Sequence, residues 1–178
     1  WGEKTPRHAL RLDDILTRFP KARAIYLLRD PRAVVASYRD WENRGGFDLE
    51  KDPEHARALE EEHQRTQASY HPAIISLLWK AALRSVQQAQ AKFGDDRVLI
   101  VYYEQLVAHP DEGFSELLKW TGIEGEIDSA LIPMGNSSYE AFKETGGVSQ
   151  APVERWKQKL EPHEVRLVEF VCGRALKR

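Results

Sequence analysis

Apolar positions along the chain alternate between two spacings. Leu12, Ile15, Leu16 and Phe19 recur at three- and four-residue intervals before Pro20, which predicts a helix over about 10–19. Ala24–Leu28 is an unbroken apolar run of strand length, of the buried kind found in parallel sheets. Asp30-Pro31 follows, a good cap and a good first helical residue, so a second helix should run to about Trp41. Residues 42–54 are polar and carry Gly45-Gly46 and Pro53, as a loop would, and 54–68 fit an exposed helix. From Pro72 to Lys92, Ile75, Leu78, Trp79, Ala82, Leu83, Val86 and Ala89 make an amphipathic helix that stops at Phe93-Gly94-Asp95-Asp96. Val98–Tyr103 reads as a second buried strand, and about 111–121 as a helix turning Phe114, Leu117, Leu118 and Trp120 inward. No element is assigned within 124–155. A last helix begins near Glu161-Pro162 and carries Val165, Leu167, Val168, Phe170, Val171 and Leu176.

Helices alternating with buried strands predict an α/β layered fold built on a parallel sheet. Two strands are few for such a sheet, which needs neighbours and cover on both faces. The chain also opens at Trp1 with no initiator Met and no apolar leader. The expectation is part of a longer protein, with all 178 residues belonging to one domain and none to a second.

Composition narrows the function classes. With 26 Lys+Arg against 28 Asp+Glu and a formal charge of −2, the chain lacks the basic excess of a nucleic-acid binder. A single Cys excludes an internal disulfide framework and a Cys-based zinc site, and Cys172 is read as a small buried hydrophobe. No apolar run is long enough to span a membrane. Charge is uneven, however: residues 1–44 balance at +4 and residues 48–65 at −4. The first stretch suits an anionic ligand, and the second a solvated helical face.

Ligands of open α/β sheets sit beyond the carboxyl ends of the strands. Arg29 stands at that end of the first strand, the helix opening at Pro31 points its N-terminus the same way, and Ser37 lies two turns along it. A guanidinium beside helical N–H groups makes an anion site. A surface pair between Arg29 and Asp30, with Ser37 facing water, fits the same spacing equally well.

The run Arg29-Asp30-Pro31-Arg32-Ala33-Val34-Val35-Ala36-Ser37 closely resembles the 3′-phosphate-binding segment of sulfotransferases that use 3′-phosphoadenosine 5′-phosphosulfate (PAPS). Gly2-Glu3-Lys4-Thr5-Pro6 resembles the E-K-[ST]-P segment of Golgi-type carbohydrate sulfotransferases and their bacterial relatives. Tyr103-Glu104-Gln105-Leu106-Val107, with Pro110, is similar to the family's Y-E-[DQ]-L stretch after a strand. Gly147-Val148, Arg155-Trp156-Lys157 and Leu160 are similar to the loop that closes over the nucleotide. The resemblance implies a P-loop NTPase-like three-layer fold with a parallel sheet, present here without its first strand, phosphate loop and first helix. The family's Gly/Ser/Thr loop for the 5′-phosphosulfate is absent from these residues and is expected N-terminal to Glu3, so the chain alone is expected to be inactive.

The resemblance further implies PAPS as sulfuryl donor, no metal, and an acceptor hydroxyl on a carbohydrate, a tyrosine or a small alcohol. Arg29 and Ser37 would bind the 3′-phosphate, Tyr103 would stack on or hydrogen-bond the adenine, and Arg155 and Lys157 would clamp the 3′-phosphate from the closing loop. Asn136-Ser137-Ser138-Tyr139 would line the nucleotide pocket. Glu3 is the candidate general base and Lys4 the cation beside the sulfuryl group. His8 is the second candidate base, with a side-chain pKa suited to the work; cytosolic relatives place a His directly after a K-T pair, where Pro6 stands here. Residues 42–70 would form an acceptor-side lid. The compartment would be cytoplasmic for a bacterial protein and the Golgi lumen for an animal one. Two other functions fit the fold: a non-catalytic nucleotide-binding module, and a P-loop kinase-like phosphotransferase, which would need a phosphate loop with Lys and Mg²⁺ ligands.

Overall fold

The computed structural model describes residues 1–43, 71–132 and 147–176. The expected lid over 42–70, the helix over 54–68 and the segment 136–139 lie largely or wholly outside them. The chain forms two units, residues 1–29 with 79–150 and residues 30–78 with 151–178, so it passes between units after Arg29, Leu78 and Gln150.

In the first unit a short 3-10 turn, Pro6–Arg11, leads into α1 (Leu12–Arg18) and then β1 (Ala24–Leu28). After the chain returns on helix α3 (Pro72–Phe93), β2 (Val98–Tyr102) pairs parallel to β1 with Ala24 opposite Val98 and Leu28 opposite Tyr102. Leu12, Leu16, Val86, Ala89 and Val98 form the buried core, with Ala24, Tyr26 and Ile100 packed on it from one face of the sheet. The period-2 geometry of a strand turns Ile25 and Leu27 to the other face, where they are 46 % and 48 % exposed. β1 was expected to be buried on both sides; among the described residues no layer covers that second face.

Two further departures follow the end of β2. The strand stops at Tyr102, and Tyr103 opens a short helix, α4 (Tyr103–Ala108), that the sequence reading had missed. α5 (Pro110–Thr121) packs against α4 so closely that a Cβ at Gly113 would stand 2.5 Å from Leu106 Cδ1. It ends at Gly122, whose φ of 73° is a left-handed cap that glycine takes without strain. Trp120, expected in the core, is half-buried, and its indole N–H donates to the Asp95 carbonyl at 2.8 Å.

In the second unit α2 (Pro31–Asn43) packs on the short helices α6 (Ala151–Glu154) and α7 (Trp156–Lys159) and on α8 (Pro162–Leu176). Ala33, Val35, Ala36, Ile75, Leu160, Val168 and Cys172 are buried, the Cys as expected. Phe170 and Leu78 are not: they are 88 % and 51 % exposed, because each falls off the face its helix turns inward. An ion pair ties α2 to α8, Arg39 donating to both oxygens of buried Glu164, one of them at 2.7 Å. Glu164 also accepts the Glu161 backbone N–H at 2.8 Å, which caps α8.

Candidate active site

Register sets the first part of the site. Because Leu28 lies opposite Tyr102, the residues that follow, Arg29 and Tyr103, leave the sheet together at its carboxyl end. The Arg29 guanidinium carbon sits 4.7 Å from the Tyr103 ring centroid. The Arg29 carbonyl accepts the indole N–H of buried Trp79 at 2.9 Å. Arg29 is half-buried, and its buried Nε finds no hydrogen-bond acceptor among the described residues, although the residue has further interactions. Burial raises the Tyr103 phenol above its ordinary pKa; the Arg29 charge opposes that rise and Glu104 adds to it. Tyr103 therefore presents a neutral ring at physiological pH.

In the second unit, Asp30 caps α2 by accepting the Arg32 backbone N–H at 2.8 Å. That cap occupies one of the helical N–H groups that the sequence reading had offered to an anion. The Asp30 carboxylate also holds the Arg32 guanidinium, with bonds of 2.7 to 3.2 Å. Arg32 reaches Glu169 at 2.9 Å and lies 4.1 Å from the Trp156 ring centroid. Its pKa is raised, first by the hydrogen bond to Asp30, with partial burial opposing. Arg32 is thus committed to the fold. Ser37 is half-buried on α2, and Arg155 is half-buried beside Trp156. Lys157 is exposed and paired with Glu154.

At the N-terminus of the first unit, Glu3, Lys4 and His8 are all exposed. Glu3 accepts the Thr5 hydroxyl at 2.5 Å, and the His8 backbone N–H closes the turn onto the Thr5 carbonyl at 3.0 Å. The structure thus brings Arg29 and Tyr103 together, and keeps Glu3, Lys4 and His8 on one short stretch. Ser37, Arg155 and Lys157 belong to the other unit. No group of three or more His, Cys, Asp or Glu able to hold a metal occurs among the described residues, and no described helix is long and apolar enough to cross a membrane.

The sequence profile of the Sulfotransferase family matches residues 1–127, most of the chain. The chain belongs to the sulfotransferase family. It is 29 % identical over 110 residues to a protein-tyrosine sulfotransferase of Drosophila melanogaster, covering 61 % of this chain and 18 % of that protein. It is 28 % identical over 138 residues to protein-tyrosine sulfotransferase 2 of Gallus gallus, covering 77 % and 30 %. Nodulation protein NoeE of Sinorhizobium fredii matches at 23 % identity, covering 96 % and 42 %. The chain therefore spans less than half the length of these relatives.

Two solved structures share its fold. The sulfotransferase domain of the Synechococcus PCC 7002 olefin synthase superposes with a TM-score of 0.61 at 21 % identity, covering 94 % of this chain and 56 % of that domain. The sulfotransferase domain from the curacin biosynthetic pathway superposes with a TM-score of 0.59 at 18 % identity, covering 97 % and 61 %. The P-loop NTPase-like fold expected from the motifs is thereby established. Two features of this sulfotransferase chain escaped the sequence reading. Helical spacing marks Trp79 only as core, since its bond to Arg29 joins residues 50 positions apart. The Asp30–Arg32 pairing carried a usable signal, an Arg two residues after a capping Asp.

Proposed function

We propose that this sulfotransferase chain binds the adenosine 3′-phosphate end of PAPS and serves sulfuryl transfer to an acceptor hydroxyl. The observation that carries the reading is Arg29, held at the carboxyl end of β1 against the Tyr103 ring, at the head of a segment matching the family's 3′-phosphate motif through Ser37. A fixed guanidinium at a strand end is suited to bidentate phosphate binding. On the family resemblance Arg155 and Lys157 remain candidate cations for the nucleotide. PAPS would supply an activated sulfuryl group whose bridging S–O bond breaks as the acceptor oxygen bonds to sulfur.

Glu3 would take the acceptor proton, with His8 as the other base within the same stretch, and Lys4 would stabilise charge on the sulfuryl oxygens. A tyrosine phenol is the first acceptor to test, because two of the matched relatives are protein-tyrosine sulfotransferases. Carbohydrate and small-alcohol hydroxyls follow. In the intact protein, calorimetry with adenosine 3′,5′-bisphosphate should give affinity that Arg29→Ala lowers by at least about tenfold, the loss expected for one charge-assisted contact. Equal affinity in the two proteins would remove the 3′-phosphate role.

A further inference from the structure

Arg29 is held from two sides by residues that the family motif does not include or assigns elsewhere. On the backbone side, the Arg29 carbonyl lies one residue past the last paired position of β1. The Trp79 indole N–H takes it at 2.9 Å, and Trp79 is only 8 % exposed, so its ring cannot swing away. On the side-chain side, the Tyr103 ring lies 4.7 Å from the guanidinium carbon. A cation–π contact of that length restrains the position of the guanidinium without using its N–H groups as in-plane donors.

We propose that Trp79 and Tyr103 are positioning residues that fix Arg29 from its backbone and its side chain, and so set the preference for a nucleotide carrying a 3′-phosphate. This inference rests on the 3′-phosphate role of Arg29 above. A long flexible side chain binds an anion more weakly when it must be ordered at the moment of binding, so prior fixing raises affinity only for ligands that use that side chain.

The test measures, in the intact protein, the ratio of affinities for adenosine 3′,5′-bisphosphate and adenosine 5′-phosphate, which differ only in the phosphate at issue. Trp79→Phe keeps a buried ring and removes the indole N–H; it should lower the ratio about 3- to 10-fold, the range of one neutral hydrogen bond. Tyr103→Leu should lower it about 5-fold, within the range of one cation–π contact, and Tyr103→Phe should leave it unchanged. In an Arg29→Ala background, neither Trp79→Phe nor Tyr103→Leu should alter the ratio further.

If Arg29→Ala collapses the ratio while Trp79→Phe and Tyr103→Leu leave it intact, the positioning role is wrong and the function proposed above stands. Equal weakening of both ligands by Trp79→Phe and Tyr103→Leu would mark them as general structural residues and also overturn the inference. Should Arg29→Ala itself spare the ratio, both readings fall. The two Tyr103 variants keep the question decidable if Trp79→Phe does not fold.

Discussion

Arg97 offers the sharpest stability test, because its partners are backbone atoms that substitution cannot otherwise reach. It stands just before β2, where its own carbonyl accepts the Ala24 N–H at 2.9 Å and starts the pairing with β1. Its guanidinium donates to the carbonyls of Leu16 at 3.1 Å, Phe19 at 3.0 Å and Ala22 at 3.0 and 3.1 Å, and stacks near Phe93. These carbonyls end α1 and form the turn into β1, so one side chain fixes how the strand enters the sheet. Hydrogen bonds to a charged group contribute about 1.5–3 kcal/mol each when isolated and buried. Here two donor groups share three carbonyls at a half-buried position, and the combined contribution should be about 2–4 kcal/mol.

Arg97→Met keeps the aliphatic stem on Phe93 and removes every donor. Urea unfolding followed by tryptophan fluorescence should show that loss as a lower midpoint, with Tm falling by about 5–15 °C for a chain of this size. Arg97→Lys should recover less than half, since an ammonium cannot span three carbonyls in one plane. The ratio of bisphosphate to monophosphate affinity should stay put. A stability change below about 0.5 kcal/mol for Arg97→Met would refute the reasoning, because ordinary surface substitutions reach that size.

Three further outcomes follow from the geometry. Arg39→Met, which leaves the buried Glu164 carboxylate uncompensated, should cost about 3–5 kcal/mol in urea unfolding, and adding Glu164→Gln should restore much of it; an additive double variant would deny the coupling. Alkaline titration at 295 nm should show Tyr26 and Tyr103 ionising above the ordinary phenol range, since burial raises both. A raised folded-state pKa means that the stability tied to these phenols is complete below about pH 10 and is lost as pH rises through the folded values; ionisation of Tyr26 and Tyr103 at the ordinary phenol pKa would contradict the burial. Glu3→Gln in the intact protein should cut turnover about 10²–10⁴-fold with bisphosphate affinity preserved, and unchanged turnover would pass the role of base to His8 or to no side chain.

Much of the architecture was legible in the residues themselves. The unbroken run Ala24–Leu28 and the spacing from Ile75 to Ala89 admit one local structure each, and β1 and α3 lie where those patterns put them. Asp30-Pro31 likewise starts α2, because cap and first-turn preferences act over neighbouring residues. α4 was missed because Tyr103 continues an apolar run and carries no breaker to separate strand from helix. Apolarity also overstated burial at Phe170, Leu78, Ile25 and Leu27, since a side chain is buried only where another layer meets it. At the candidate site, Arg29 was visible as a residue type at a strand end, while the groups that hold it depend on the register of β1 and β2 and on a helix far along the sequence.

The bond from Trp79 to Arg29 has a consequence for how such a chain can diverge. It works as a clasp, fastening the chain at residue 29 and again 50 positions later. A segment tied at both ends can gain or lose length at small entropic cost, about 0.6 kcal/mol for each doubling of a flexible loop. Insertions and deletions confined to the stretch between α2 and α3 would leave the clasp, and the arginine it holds, where they are. Length variation between α2 and α3 is thereby uncoupled from the carboxyl end of the sheet, so one can be rewritten over generations while the other is kept.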